Sequence, residues 1–426
     1  MKFVSTRGKA PKLSFSEALQ AGLAPDGGLY VPERFPNFNV SDFAAAKSMA
    51  EVGERILAPF FDDDVLAPEL GRICRNAFNF PVPLRMISKD TGLLELFHGP
   101  TAAFKDVGAR FLAESVEALQ NKSQKSTRTV LVATSGDTGG AVAAAFFGKP
   151  GIEVIILFPK GHIAPRQEKQ LTAWGGNIRA FAVQGCFDDC QRLVKEAFLD
   201  PWWQKNRSLL SANSINIGRI LPQTIYYAMA SLEYQARTNR TPGFVVPSGN
   251  LGNAVAALWA KKMGLPVRSV VLACNANQAV VEYFKTGTWK SFATVQTLAN
   301  AMDVGNPSNM ERVLNLYPSL DILKKDVQAY SASDDEIRTA IVDSATKTQE
   351  VICPHTAAGA FALSKLSGSD WVLVATAHPA KFETIVEPLI GRKIPVPAVL
   401  TSLLSKPSRC IDIESTLEAL RKSATN

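Results

Sequence analysis

The stretch Ser135-Gly136-Asp137-Thr138-Gly139-Gly140-Ala141-Val142-Ala143-Ala144 recurs, little changed, as Ser248-Gly249-Asn250-Leu251-Gly252-Asn253-Ala254-Val255-Ala256-Ala257. Each copy follows a β-branched run, residues 129–134 and 244–246, and each opens an alanine-rich segment of helical character. Strand, glycine turn and helix start, in that order, bring free backbone N–H groups and the positive end of a helix dipole to one point. Two such turns predict two anionic groups held near each other. The likeness ends with these stretches, so it reads as one physical solution used twice and not as a duplicated domain.

Outward from the turns, short apolar strands alternate with longer helices. Strands are predicted at residues 93–97, 129–133, 153–158, 179–183, 243–246, 269–273 and 371–375. Helices are predicted at 105–120, 140–147 and 165–174. This alternation means an α/β fold with a largely parallel sheet covered on both faces. Ligands of such sheets bind at the carboxyl ends of the strands, where both glycine turns lie. Residues 1–80 read as a separate N-terminal unit with a glycine- and proline-rich loop at 22–32. Two prolines in Phe80-Pro81-Val82-Pro83-Leu84 stop any helix there, marking the boundary to residues 81–426.

Composition narrows the function. The 426 residues are 46% apolar, enough for two or three packed units. The net charge is +7, but the basic residues are scattered. The densest pairs, Lys261-Lys262 and Lys324-Lys325, have no interleaved aromatics, which argues against a nucleic-acid surface. The charge is either a mild attraction for small anions or unspecific surface charge. Cys74, Cys186, Cys190, Cys274, Cys353 and Cys410 form no C-x-x-C pair, and His98, His162, His355 and His378 show no metal-ligand spacing. Free thiols in a reducing compartment and no metal are expected. Residues 1–13 carry Lys2, Arg7, Lys9 and Lys12 without the apolar core of a secretory signal. No run reaches the roughly 18 apolar residues of a membrane span. A soluble cytoplasmic protein with a small-molecule partner is expected.

Several segments carry candidate chemistry. Lys105, in Phe97-His98-Gly99-Pro100-Thr101-Ala102-Ala103-Phe104-Lys105-Asp106, opens a predicted helix among small and aromatic neighbours. A helix N-terminus and partial desolvation both disfavour the ammonium form, which makes Lys105 a candidate amine nucleophile. A solvated lysine beside Asp106 is the alternative. The second glycine turn lacks the lysine of a G-K-[ST] phosphate loop, which argues against an ATPase. Its Ser248, Asn250 and Asn253 suit one terminal phosphate held by backbone N–H groups, or a plain tight connection. The first turn adds the hydroxyls of Ser135 and Thr138, able to donate to a carboxylate. Asn213-Ser214-Ile215-Asn216-Ile217-Gly218-Arg219 offers amides and a guanidinium at a helix start, either for a second phosphate or as a cap with a surface arginine. Lys160 ends another strand and is either a cation on the same side or a solvated loop lysine. Thr376, after strand 371–375, has a hydroxyl placed to meet a ring nitrogen. Pro354-His355-Thr356-Ala357-Ala358-Gly359 reads as a substrate-side turn.

Together, and in order, these segments resemble the threonine synthase family: 98–106 with Lys105, 135–139, 213–219, 248–253, 355–359 and 376–382. Gly27-Gly28-Leu29-Tyr30-Val31-Pro32 also resembles that family's N-terminal domain. The resemblance covers nearly the whole chain. It departs at Leu251, where phenylalanine is common, and mildly at Asn253, where aspartate also occurs.

The resemblance implies the tryptophan-synthase-β-like fold of type II pyridoxal-phosphate (PLP) enzymes. That is an α/β fold of two parallel-sheet lobes, with an N-terminal domain over 1–80 and a catalytic core over 81–426. By it, Lys105 would carry pyridoxal 5′-phosphate, Gly249, Asn250, Leu251, Gly252 and Asn253 would take its phosphate, and Thr376 would meet its pyridine nitrogen. A hydroxyl there, in place of a carboxylate, leaves that nitrogen largely neutral. The implied substrate is O-phospho-L-homoserine, converted with water to L-threonine and phosphate, with Lys105 as acid–base group at Cα. Ser135, Asp137 and Thr138 would hold the substrate carboxylate; Asn216 and Arg219, with Lys160, would hold its phosphate. The expected assembly is a monomer or homodimer. Other readings are a phospho-lyase releasing a 2-oxo acid, a serine/threonine dehydratase, and a non-catalytic anion-binding protein.

Overall fold

The computed structural model describes residues 1–123 and 127–425. Near the N-terminus, β1 (Phe3–Ser5) pairs antiparallel with β2 (Tyr30–Pro32). Then follow β3 (Leu84–Met86), β4 (Thr91–Glu95), β5 (Arg128–Ala133), β6 (Ile152–Pro159), β7 (Ile178–Gln184) and β8 (Ser208–Ser211). The chain continues through β9 (Gly243–Pro247), β10 (Val270–Cys274), β11 (Val327–Ser331), β12 (Trp371–Ala375) and β13 (Ile411–Glu414).

These strands build two lobes. One sheet has the order β13-β7-β6-β5-β8 and is parallel throughout. The other has the order β11-β10-β9-β12-β4-β3, parallel except for β3 against β4. Central strands such as β5, β9, β10 and β12 are buried at every residue, as helices on both faces require. All seven strands expected from the sequence are present. The short strands β8, β11 and β13 were not expected: each lies at a sheet edge, where one polar side weakens the apolar signal.

Strand order locates the site. From β5 the chain moves through β6 and β7 to one side, then returns as β8 on the other side of β5. From β9 it moves through β10 and β11, then returns as β12 on the other side of β9. Each sheet therefore has a switch point, where loops leave adjacent strand ends in opposite directions and open a crevice. The first glycine turn follows β5 and the second follows β9, so both occupy a switch point.

The N-terminal segment packs into the same core. Ser14 and Ser48 each form a capping box, with Glu17 and Glu51, on the helices Phe15–Ala21 and Met49–Leu57. Phe15 lies 4.4 Å from Phe61 and 6.1 Å from Phe111, centroid to centroid, and Phe78 stacks on Phe111 at 5.8 Å. Each such ring pair contributes roughly 0.5–1.5 kcal/mol beyond its burial. Phe111 belongs to the helix Lys105–Ser123, so this aromatic cluster anchors the helix that starts with the candidate amine. Among the described residues, no helix is long and apolar enough to cross a membrane.

Candidate active site

Lys105 stands at the first position of its helix, held there by a short loop with strained geometry. Thr101 donates its N–H and its hydroxyl to Asp106, at 2.9 and 2.6 Å, closing the turn. Ala102 has φ +53°, a left-handed conformation that costs a residue with a Cβ about 1–3 kcal/mol. The loop is stitched to the one after β12: Leu96 N–H donates to Ala375 O at 3.0 Å, Phe104 N–H to Thr376 O at 2.8 Å, and His378 N–H to Ala102 O at 3.0 Å. Lys105 and Thr376 are thereby fixed relative to one another.

The Lys105 side chain keeps partial exposure on the cleft, with protein packed around the rest. Among the described residues its Nζ has no hydrogen-bond or ion-pair partner; the Phe104 ring centroid lies 5.7 Å away. Burial pulls the amine down to about 8; Asp137 opposes this, while Arg219 and Lys381 add to it. An unpaired lysine amine with a depressed pKa is what a nucleophile or proton carrier needs.

The first turn lies opposite. Gly136 has φ +134°, where L side chains are rarely found, and the helix Asp137–Phe146 begins at once, earlier than the expected 140. Among the described residues, the amides of Ser135, Asp137 and Thr138 and the hydroxyls of Ser135 and Thr138 have no protein partner. They form a cluster of free donors. The Asp137 carboxylate is engaged elsewhere: its Oδ1 accepts from Lys381 Nζ at 2.7 Å and from Gln167 Nε2 at 2.9 Å. Burial alone would raise this carboxyl, but Lys381, Lys105 and His355 hold it well below the usual range. A carboxylate is an acceptor only, so the Asp137 side chain cannot hold a substrate carboxylate, and only its backbone N–H is left to do so.

The second turn is a cradle of amides. The N–H groups of Gly249, Asn250, Leu251, Gly252 and Asn253 have no acceptor among the described residues, and the helix Gly252–Lys262 starts there. Leu251 has φ +61°, a second strained residue at the site. Asn250 is braced on three sides: Nδ2 donates to Ser214 Oγ at 2.7 Å, Oδ1 accepts from Ser308 N–H at 2.6 Å, and its carbonyl accepts from Asn309 Nδ2 at 2.9 Å. Asn253 Oδ1 accepts from the hydroxyls of Tyr226 and Tyr227 at 2.5 and 2.7 Å, leaving its buried Nδ2 without a partner. A Cβ on Gly249 would lie 2.6 Å from Met302 Cα and 3.0 Å from Met302 O, so only glycine fits. With the second turn as the phosphate seat that the resemblance implies, Gly249→Ala is expected to weaken pyridoxal phosphate binding about 10- to 100-fold, the equivalent of roughly 1–3 kcal/mol of overpacking. A fluorescence titration with pyridoxal phosphate measures this; an unchanged Kd would remove the turn from the binding site.

Other expected residues divide into two groups. Arg219 is buried, donates from Nη1 to Ala212 O at 2.5 Å and leaves Nε unpaired. Burial lowers it only to about 10, so it stays a cation beside Lys105. Asn216 is a correction. Both its amide hydrogens are used, on Leu19 O and Ser211 O at 2.9 Å, and Oδ1 caps the helix Ile217–Ile220 through Gly218 N–H. Nothing remains for it to give a phosphate. Lys160 is also corrected: it is exposed and ion-paired with Asp412 of β13, an edge strand the sequence did not announce.

The sequence placed His355 in a substrate-side turn and Lys381 in a family segment without a role of their own, and it marked neither Asn309 nor Arg312. His355, buried against Phe382, accepts the Ala301 N–H on Nε2 at 3.1 Å and is pushed down to about 4 by burial, despite Asp137. It is therefore neutral. Asn309 and Arg312 brace the cradle, and Lys381 holds Asp137. Their signal was weak because each works through a partner far away in the chain.

Three family profiles match the chain: "Threonine synthase N terminus" over residues 2–78, "Pyridoxal-phosphate dependent enzyme" over 82–377, and "Threonine synthase, C-terminal" over 356–423. The threonine synthase of Haemophilus influenzae is 40% identical over 96% of each chain. The chain belongs to the threonine synthase family. The Escherichia coli threonine synthase is 38% identical over the full length of both chains. A crystal structure of an Escherichia coli threonine synthase superposes with a TM-score of 0.93 at 37% identity, covering 100% of both chains. A PLP-bound threonine synthase from Brucella melitensis gives a TM-score of 0.91 at 36% identity, covering 99% and 98%. The fold is that of type II PLP enzymes, and the family's cofactor is pyridoxal 5′-phosphate. The donor set fits it: free amides and the orphaned Asn253 Nδ2 suit its phosphate, and an unpaired amine at Lys105 suits its aldehyde.

Proposed function

We propose that this protein is a threonine synthase, converting O-phospho-L-homoserine and water to L-threonine and phosphate. The observation that carries the reading is the unpaired, desolvated Lys105 amine placed between two turns of free backbone amides. Bound PLP supplies the electron sink that makes the substrate's Cα and Cβ protons removable. Lys105 carries the proton at Cα, and an amine near pH 8 exchanges it readily at neutral pH. In the net reaction the Cγ–O bond breaks and phosphate departs. Cβ loses one proton and gains the hydroxyl of water, Cγ gains a proton, and the remaining proton of the water leaves with the phosphate.

The residue roles follow from donors and charges. Gly249, Asn250, Leu251, Gly252 and Asn253 would hold the cofactor phosphate, and the Thr376 hydroxyl would meet the ring nitrogen. The amides of Ser135, Asp137 and Thr138, with the Ser135 and Thr138 hydroxyls, take the substrate carboxylate. Arg219 takes the substrate phosphate. Residues 1–80 act as the N-terminal domain and 81–426 as the catalytic core, working in the cytoplasm.

The test is incubation of the purified PLP-loaded protein with O-phospho-L-homoserine, with separation of threonine, 2-oxobutyrate and phosphate. Threonine and phosphate in equal amounts are expected. Phosphate with 2-oxobutyrate would make the protein a phospho-lyase. Turnover of threonine without phosphate release would make it a dehydratase.

A further inference from the structure

Lys381 lies on the short turn Pro379–Phe382 and is fully buried. Its Nζ meets Asp137 Oδ1 of one lobe at 2.7 Å and Thr101 O, in the loop that carries Lys105, at 3.0 Å. Gln170 Nε2 donates to the same Thr101 carbonyl at 3.0 Å, and Gln167 joins Asp137 to Asn300 at 2.9 and 3.1 Å. A largely buried polar chain thus ties the Asp137 turn of one lobe to the loop that carries Lys105.

Stability does not call for such a pair. Replacing a buried ion pair by apolar groups of similar size is often neutral or favourable, because both charges must be stripped of water. We infer that Lys381 is a positioning residue: it clamps the Lys105 loop to the Asp137 turn and, paired with Asp137, sets the charge that faces the Lys105 amine. The inference rests on the proposed function only in taking Lys105 as the reactive amine.

The groups facing Lys105 come from four elements. Asp137 attracts its proton; Arg219 and Lys381 repel it; His355, held neutral by burial, adds no charge at working pH. Of these, Asp137 is the one anion and Lys381 is its ion-pair partner. The two members of the pair therefore act on Lys105 with opposite sign. Losing Lys381 leaves Asp137 free to stabilise the Lys105 ammonium, so the amine pKa rises. Losing Asp137 leaves two unopposed cations beside Lys105, so it falls. A clamp that was merely structural would not give opposite signs.

The test uses the full chain freed of cofactor. Lys105 is labelled with acetic anhydride across a pH series and its modification is followed by peptide mass mapping. The wild-type midpoint is expected near pH 8. Lys381→Met is expected to raise it by about one unit or more, and Asp137→Asn to lower it by a similar amount. The double variant Lys381→Met/Asp137→Asn removes both charges, preserves the shape, and should fall between the single variants even where one of them folds poorly. Shifts in the same direction, or no shift, would overturn the inference. Because labelling needs no substrate, failure of wild-type turnover would undo the proposed function alone. In the PLP-loaded enzyme, Lys381→Met should lower kcat more than it changes KM.

Discussion

Lys105→Ala is expected to abolish bound-cofactor absorbance and reduce threonine formation by at least about 10⁴-fold, while leaving the fold intact. Proton transfer by a positioned group contributes about 10²–10⁴-fold alone, and the covalent attachment is lost with it. No other described group can substitute: His355 is engaged with the Ala301 amide, and Lys381 is committed to Asp137 and Thr101. The variant also carries a stability signature. The folded amine sits at about 8, against about 10.4 for an unfolded chain. Folding therefore disfavours the protonated amine; this cost is fully present below pH 8 and fades as the pH rises towards the unfolded value. The stability of the cofactor-free variant relative to cofactor-free wild type should be most favourable near pH 7 and decline towards pH 10. Denaturant titrations at both pH values measure it. A Lys105→Ala protein that kept its chromophore and turnover would remove Lys105 from the mechanism.

Arg312→Ala is expected to cost about 3–5 kcal/mol of stability. The guanidinium is buried and has no carboxylate ion-pair partner among the described residues. It donates to Tyr30 O from Nε and Nη2 at 3.2 and 3.0 Å, to Ser214 O at 2.9 Å, to Ile215 O at 2.7 Å and to Asn309 Oδ1 at 2.5 Å. Burial lowers its pKa to about 9, with Glu311 opposing, so it still folds as a cation. Truncation would strand four acceptors in the interior and open a cavity. Thermal unfolding should drop by roughly 5–10 °C. Cofactor affinity should fall as well, because Ser214 and Asn309, which Arg312 orients, are the braces of Asn250. Lysine is no replacement, since a single ammonium cannot reach four acceptors on a fork. An unfolding temperature unchanged within about a degree would refute this account.

The sequence made some of this legible and concealed the rest for a physical reason. Lys105 and both glycine turns were readable because their chemistry is local: a strand end, a turn and a helix start are consecutive in the chain. Lys160 was readable as a strand-end cation, but its neutralisation by Asp412 was not, because that partner arrives on an edge strand far away in the chain. Asn216 carries the same side chain whether it caps a helix or binds a phosphate; only the positions of Leu19 and Ser211 decide. The family resemblance implied that Asp137 holds a substrate anion, and only the approach of Lys381 showed its carboxylate to be occupied. Arg312 gave no signal, since carbonyl acceptors have no sequence identity.

The contact between Arg312 and Tyr30 joins residues 282 positions apart, and Thr6 donates to Glu311 across 305. A ribosome adding about 5–20 residues per second needs roughly 15–60 s to span that gap. The first eighty residues therefore leave the exit tunnel well before the groups that complete their hydrogen bonding have been made. A pause or truncation ahead of residue 312 leaves the Tyr30 carbonyl and the Thr6 hydroxyl waiting for partners, with the apolar faces around them on display to whatever else is in the cell.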